Sequence, residues 1–308
     1  MRTPKTLTIL VALAVLAPLP RAAAQSQEID NATVYALANQ LADELELVRE
    51  RMGAPYDDSP RLPVSAVTQN ELYFQVQLLL RKANQLAQEL AGASPRPPGL
   101  VPSGDIRPSD VYALIEDALQ QVGHVADAIG ITEEVDMVPR GAPLSPTGVF
   151  LVVIDINRQL NLMLGVPISD ADVFDEIATS IAYAASLLSM QSGAVAVPEA
   201  PPFDGYRRPA DVYRRLTECM DVMIRVAEKA GLEVAGLSTR RNIPDDITPG
   251  HIIDVASLLT ADLAALAGLM NAPLVRPELP APKHIFATEV YTQTGILLRQ
   301  LEELERRF

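Results

Sequence analysis

Inside eight separate stretches of this chain, apolar residues return in alternating steps of four and three. Each stretch opens on an apolar residue followed by an aromatic, with isoleucine standing in once. The pairs are Val34-Tyr35, Leu72-Tyr73, Val111-Tyr112, Val149-Phe150, Val173-Phe174, Val212-Tyr213, Ile252-Ile253 and Val290-Tyr291. With the second residue of each pair as position 0, apolar sites fall at −1, +3, +6, +10, +13 and +17. At +6 stand Leu41, Leu79, Ala118, Ile156, Ser180, Cys219, Leu259 and Leu297. At +13 stand Val48, Leu86, Val125, Met163, Leu187, Val226, Leu266 and Leu304. That spacing draws one stripe along a helix and makes a heptad seam, which a left-handed bundle buries. Position +5 is mixed, from Leu78 and Ile296 to Asp117, Asp155 and Glu218, and reads as a more solvated face. The pattern predicts eight helices and an all-α fold.

Helix starts carry their own marks. Pro108, Pro146, Pro209 and Pro249 each lie four residues before position 0, where a first-turn proline loses no needed hydrogen bond. Asp30, Ser145, Ser169 and Thr248 stand where a side chain can cap free amides. Glu71, Asp110, Asp172, Asp211 and Glu289 all sit at −2, which suits the positive end of a helix. These acids are read as helix starts rather than ligands.

Successive repeats are 38, 39, 38, 24, 39, 40 and 38 residues apart. A fixed period of this length marks one supersecondary unit copied many times. The short step divides the repeats four and four, and equivalent positions in the two halves are offset by 139 to 141 residues. Arg158-Gln159-Leu160 returns as Arg299-Gln300-Leu301. A tandem duplication is the simplest account: a first four-helix unit over 25–166 and a second over 167–308, each large enough for its own core.

Between helices run Pro-rich connectors such as Ala93 to Arg107 and Val195 to Arg208. They are well above the usual 2 to 8 residues of bundle loops. A helix of about 22 residues is about 33 Å long, and an extended connector of this size can run its whole length back. Two topologies fit. Helices alternate up and down with slack connectors, or all four helices of a unit run parallel and each connector climbs back. Only the link around Gly165 to Ile168 is short, and it marks the unit boundary.

Residues 1–24 read as an export signal: Arg2 and Lys5, then the apolar run Leu7 to Leu16, then Ala22-Ala23-Ala24 before Gln25. No later segment is expected to be long and uncharged enough to cross a membrane, so the processed chain is expected to be soluble in the periplasm or secreted. Its formal net charge moves from −14 to −17 on losing Arg2, Lys5 and Arg21. An acidic surface repels phosphate backbones and anionic head groups, which argues against nucleic-acid and membrane-surface partners. Cys219 is the single cysteine, so no intramolecular disulfide forms and stability must come from packing.

Candidate chemistry is sparse. Cys219 and Met223 lie four apart and could present soft sulfur ligands to Cu(I), but they fill stripe positions where other repeats hold plain apolar residues. His124, His251 and His284 show no zinc spacing, and no HExxH, GxSxG or phosphate-cradling glycine loop occurs. Asp155 lies within an apolar run, at a site that is polar in most repeats, with Arg158 three residues on as a surface partner. Arg81, Arg158 and Arg299 share +8 and could present guanidinium groups to an anion. Tyr35, Tyr73, Tyr112, Tyr213 and Tyr291 could line one end of a pocket if the helices are parallel, or could staple connectors to helix starts. The reading is a non-enzymatic exported helical repeat protein, without cofactor, that binds or scaffolds a protein or envelope partner. A homo-oligomer is compatible with it. The alternative is a periplasmic small-ligand or metal-binding helical-bundle protein.

Overall fold

The computed structural model describes residues 29–57, 64–99, 102, 105–138, 145–165, 168–201, 205–237, 247–279 and 282–308. The export signal and the boundary drawn between 166 and 167 lie outside them. Among the described residues, eight helices follow one another: α1 (Asn31–Met52), α2 (Gln69–Ala91), α3 (Pro108–Ala128), α4 (Pro146–Met163), α5 (Asp170–Ser189), α6 (Pro209–Ala230), α7 (Pro249–Leu269) and α8 (Ala287–Arg307). The fold is all-α. Among the described residues the one addition is a two-residue antiparallel pairing, β1 (Val64–Ser65) with β2 (Gly236–Leu237), made between two connectors.

Local sequence explains where the helices begin. The four prolines occupy the first helical position. Each −2 acid accepts the backbone N–H of its own cap residue: Glu71 from Thr68, Asp110 from Arg107, Asp172 from Ser169, Asp211 from Arg208 and Glu289 from Phe286. His251 does the same for Thr248 through Nδ1 at 3.2 Å. Asp30 and Ser169 also cap by side chain, accepting from the N–H of Thr33 and Asp172. Ser145 holds the cap position without such a bond.

The stripe is buried as its spacing requires. All eight residues at −1 are 0% exposed, and every residue at +3, +6, +10 and +13 is buried. At +17 the stripe runs out into solvent, with Leu90 exposed and Met52, Ile129 and Met270 half-buried. Position +5 is divided: Leu78, Leu258 and Ile296 are buried, while Thr179 and Glu218 are exposed.

Helices α1 and α2 each pack against both α3 and α4, and α5 and α6 each pack against both α7 and α8. Within each set the helices run parallel. Along α6 and α8, Arg215 meets Tyr291, the Cys219 thiol lies 3.9 Å from the Thr294 carbonyl, and Arg225 meets Glu305. The same order holds elsewhere: Val67 donates to Thr147 and Lys82 to the Asn157 carbonyl, Ser180 bonds Thr260, and Arg51 at the end of α1 donates to the Ile129 carbonyl at the end of α3. Between the sets the direction reverses. Asn70, Gln75 and Arg158 bond Ala261, Ser257 and Asp254 respectively, so α2 and α4 run antiparallel to α7. The short link after α4 follows from that reversal, because α5 starts at the end where α4 stops.

Parallel neighbours oblige every other connector to travel back, and the helices hold them as they pass. Asn84 accepts from the Arg96 N–H and donates to its carbonyl, and Gln159 does the same for Asp57. On α8, Gln300 donates to the Ala196 carbonyl, Arg299 to Glu199, and Thr288 accepts from the Arg207 N–H, so the connector descends as the helix ascends. Gly295 lets Pro201 pass, since a Cβ there would lie 2.7 Å from the Pro201 ring.

The buried apolar residues of both sets form one continuous cluster. Its bridge is α7, which touches α5 and α6 on one side and α2 and α4 on the other. The expectation that no segment is apolar enough to cross a membrane needs correction here. Helix α7 has a window of mean hydropathy 1.8 over Pro249–Leu269, and 78% of that window is buried. Contact on both sides accounts for its apolarity.

Three outcomes test this packing. Leu86→Ala and Leu266→Ala should each cost about 2–5 kcal/mol in urea unfolding, because both side chains are buried in the stripe. Asp117→Ala, which breaks a half-exposed pair with Arg96, should cost less than about 1 kcal/mol. Gly295→Ala should destabilise although alanine gains about 1 kcal/mol in a helix interior. A more stable variant would mean that Pro201 is not seated on α8.

Candidate functional site

Where α7 meets the first four helices, the buried surface carries charge. Lys82 on α2, Arg158 on α4 and Asp254 on α7 are only 6%, 5% and 2% exposed. Arg158 Nε lies 3.4 Å from Asp254 Oδ2, and Lys82 donates to the Asn157 carbonyl at 3.2 Å. Arg158 thus pairs with a carboxylate inside the protein, and Lys82 lies close enough to be influenced by both charges. Burial pushes Asp254 up to about 6, with Arg158 and Lys82 pulling it back down. The same burial pushes the Lys82 amine down to about 7, with Asp254 opposing and Arg81 and Arg158 reinforcing the fall. Beside Lys82 a cleft of about 480 Å³ opens, lined also by Arg81, Asp172, Asp175 and Glu176.

Two turns along α7, Asp262 meets Glu71 of α2, and each is 1% exposed. Glu71 accepts from the backbone N–H of Thr68 and of Ala235, and from the Thr68 hydroxyl. Its oxygens are therefore acceptors, so the proton between the two acids sits on Asp262, which donates to Glu71. Burial, reinforced by Glu71, holds Asp262 well above the ordinary value of 3.8. Asp262 Oδ2 is itself buried and accepts no hydrogen bond from an N–H or hydroxyl donor of the protein. Asp262 lines a groove of about 630 Å³ between α2, α5 and α7.

Both Lys82 and Asp262 stand at +9. That position also holds Gln121, Gln159 and Gln300, whose side chains donate to the backbone of a passing connector. On α2 and α7 the same face turns to the other set of helices, and the connector-holding amide is replaced by an ionisable side chain.

The residues singled out from sequence are dispersed. Tyr35, Tyr73 and Tyr112 stand at the starts of the first set, Tyr213 and Tyr291 at the starts of the antiparallel second set, so they lie at opposite ends. Tyr73 and Tyr213 are buried and the other three half-buried. Two guanidinium groups lie over the Tyr291 ring, Arg207 at 4.7 Å and Arg215 at 3.5 Å from its centroid. Arg81, Arg158 and Arg299 serve three neighbours: the cleft, Asp254 and the Glu199 carbonyl. Arg158, expected beside Asp155 at the surface, is buried because it crosses to α7. Cys219 and Met223 are both fully buried, and burial pushes the Cys219 thiol well up.

Asp254 and Asp262 were not singled out from sequence. The usable signal was two acids, eight apart, in the most apolar helix of the chain; Asp155 drew attention for the same reason but is half-buried. No protein-family model, curated protein or solved structure matches this chain.

Removing the buried anion should be far worse than removing the Lys82 cation. Asp254→Ala removes the buried carboxylate that Arg158 bonds on α7 and should cost about 3–5 kcal/mol in chemical unfolding, whereas Lys82→Met should be neutral or stabilising. Equal losses would show that the charges are not buried together. The Asp262 pair gives a pH signature. Its native carboxyl keeps a proton that the unfolded chain releases near 3.8, so its contribution is full below that pH and declines as pH rises. Asp262→Asn keeps a donor for Glu71 but cannot titrate, so it should flatten that decline and be more stable than the parent at pH 8. Parallel stability curves for the two proteins would refute the shared proton.

Proposed function

We propose that this chain is an exported, non-enzymatic helical binding protein, built by tandem duplication of a four-helix unit, that holds a protein or envelope partner. The duplication is supported by equivalent neighbours: α1 and α2 against α3 and α4 match α5 and α6 against α7 and α8. Connectors agree as well. The one after α1 lies along α4 at Gln159, and the one after α5 lies along α8 at Gln300.

The observation that carries the binding reading is how recurring polar groups are used. The −2 acids cap helices, the +9 glutamines hold connectors, and the charges of α2, α4 and α7 join the two sets. Such groups are committed to architecture, and recognition is left to the acidic outer surface. Native mass spectrometry of the exported protein tests this. The expected species is a chain beginning at Gln25 in a stoichiometric complex with another polypeptide. A chain retaining residues 1–24 would contradict export, and a partner-free chain with turnover of an added substrate would contradict the binding role.

A second reading, a small-ligand binding protein, is favoured by one specific observation: a groove of about 630 Å³ lined in part by the buried carboxyl-bearing residue Asp262.

A further inference from the structure

The cleft beside Lys82 has walls of opposite charge. On α2 its lining positions are 78, 81, 82 and 85, and on α5 they are 172, 175, 176 and 179. Steps of three and four keep each set on one face of its helix. The α2 face carries Arg81 and Lys82, and the α5 face carries Asp172, Asp175 and Glu176. Arg81 and Asp175 are exposed and Glu176 is half-buried. None of these three makes a side-chain hydrogen bond or ion pair among the described residues. Asp172 differs, because its Oδ2 already accepts from the Ser169 N–H and hydroxyl at 2.8 and 2.7 Å. Lys82 is 6% exposed and donates to the Asn157 carbonyl, within electrostatic reach of both Arg81 and Asp172. Leu164, Ile168 and Ile253 complete the lining with apolar surface. A volume of about 480 Å³ lies within the usual range for small-molecule sites.

We propose that this cleft binds a short zwitterionic peptide with apolar side chains. Arg81 holds its C-terminal carboxylate, and Asp175 and Glu176 hold its N-terminal ammonium. Its side chains lie against Leu164, Ile168 and Ile253. The inference goes beyond both readings above: the cleft shares no lining residue with the groove at Asp262, and it requires no protein partner.

Charge decides the class of ligand. An anion drawn to Arg81 meets three acids across the cleft, and a cation drawn to those acids meets Arg81 and Lys82. A zwitterion sets each of its charges against the opposite sign, while the like-charge contacts reject simpler ions. Arg81 suits the carboxylate, since a guanidinium can bond both of its oxygens in one plane. Buried Lys82 is screened little by salt and adds positive potential to the same wall. Spacing decides the length. One α-carbon separates the charges of a free amino acid, whereas each further residue adds up to about 3.6 Å of reach. Walls that do not pair with one another call for the longer span. A long chain, in turn, carries one of its end charges out of the cleft.

Isothermal titration of the purified protein with leucyl-leucine at pH 7 tests this, beside two blocked analogues and free leucine. Leucyl-leucine should bind one-to-one with a Kd of about 1 mM or tighter, which its number of heavy atoms permits. N-acetyl-leucyl-leucine lacks the ammonium, and leucyl-leucine amide lacks the carboxylate. Each should bind at least about tenfold more weakly, the scale of one lost charged hydrogen bond. Free leucine should also bind more weakly, because its charges lie too close together. Arg81→Gln should erase the preference over the amide and keep the preference over the acetylated form. Asp175→Asn combined with Glu176→Gln should do the reverse. Far-ultraviolet circular dichroism should stay unchanged in both variants, since none of the replaced side chains is buried. Equal binding of the three peptides, or variants that leave both preferences intact, would overturn a zwitterion held by these walls. Leucine binding as tightly as the dipeptide would overturn the peptide, and no saturable binding would overturn the site.

Discussion

A polypeptide that finishes one helix and must begin the next at the same end has to come back. That obligation shapes most of this structure. Parallel neighbours rule out tight loops, so connectors run extended along helices of about 33 Å. An extended segment carries unpaired backbone N–H and C=O groups, and these need partners when they lie on a packed surface. Helix amides supply them: Asn84 and Gln159 each take both groups of a connector residue, much as a neighbouring strand would. The cost is a polar side chain at a buried helix position in several repeats. Each return path also covers a helix face, which spares a small four-helix unit from exposing it.

The second set reverses direction, and only there does a short link suffice. The reversal lays α7 antiparallel to α2 and surrounds it with helices on both sides. An almost wholly apolar helix results, apart from acids that bond across the junction. Asp254 and Asp262 stabilise little by themselves, because removing charge from water costs about as much as pairing recovers. Their effect is to fix how the two sets meet, since a shifted α7 would cost Arg158 and Glu71 the partners they have on that helix. β1 and β2 tie connectors of the two sets together at the same junction.

The stripe from −1 to +13, the helix starts and the repeat count were legible in sequence because they depend on contacts each helix makes in the same way. Helix direction was not legible. A heptad stripe is the same for parallel and antiparallel neighbours, and connector length fits both. Position +9 held the missing information, since glutamine at Gln121, Gln159 and Gln300 has little reason to recur inside a core unless something polar passes over it. The charged junction was hidden for a different reason. Asp155 and Asp254 both sit in apolar runs, and only the neighbour that α7 meets makes one buried and the other half-buried. The tyrosine ring failed as a common site because the two sets point in opposite directions.

The central claim is that helices within a set are parallel, and spin-label distances test it directly. Labels would be placed on Arg225 and Glu305, and separately on Arg225 and Phe286, in a Cys219→Ala background. Arg225 lies near the end of α6, Glu305 near the end of α8, and exposed Phe286 just before α8 begins. Parallel helices put the first pair side by side and separate the second by about 25 Å along the axis, at 1.5 Å per residue. The account predicts that the 225–305 distance is shorter by about 10 Å or more, given that axial offset. The opposite order, with 225–286 the closer pair, would mean an up-and-down bundle and would contradict it.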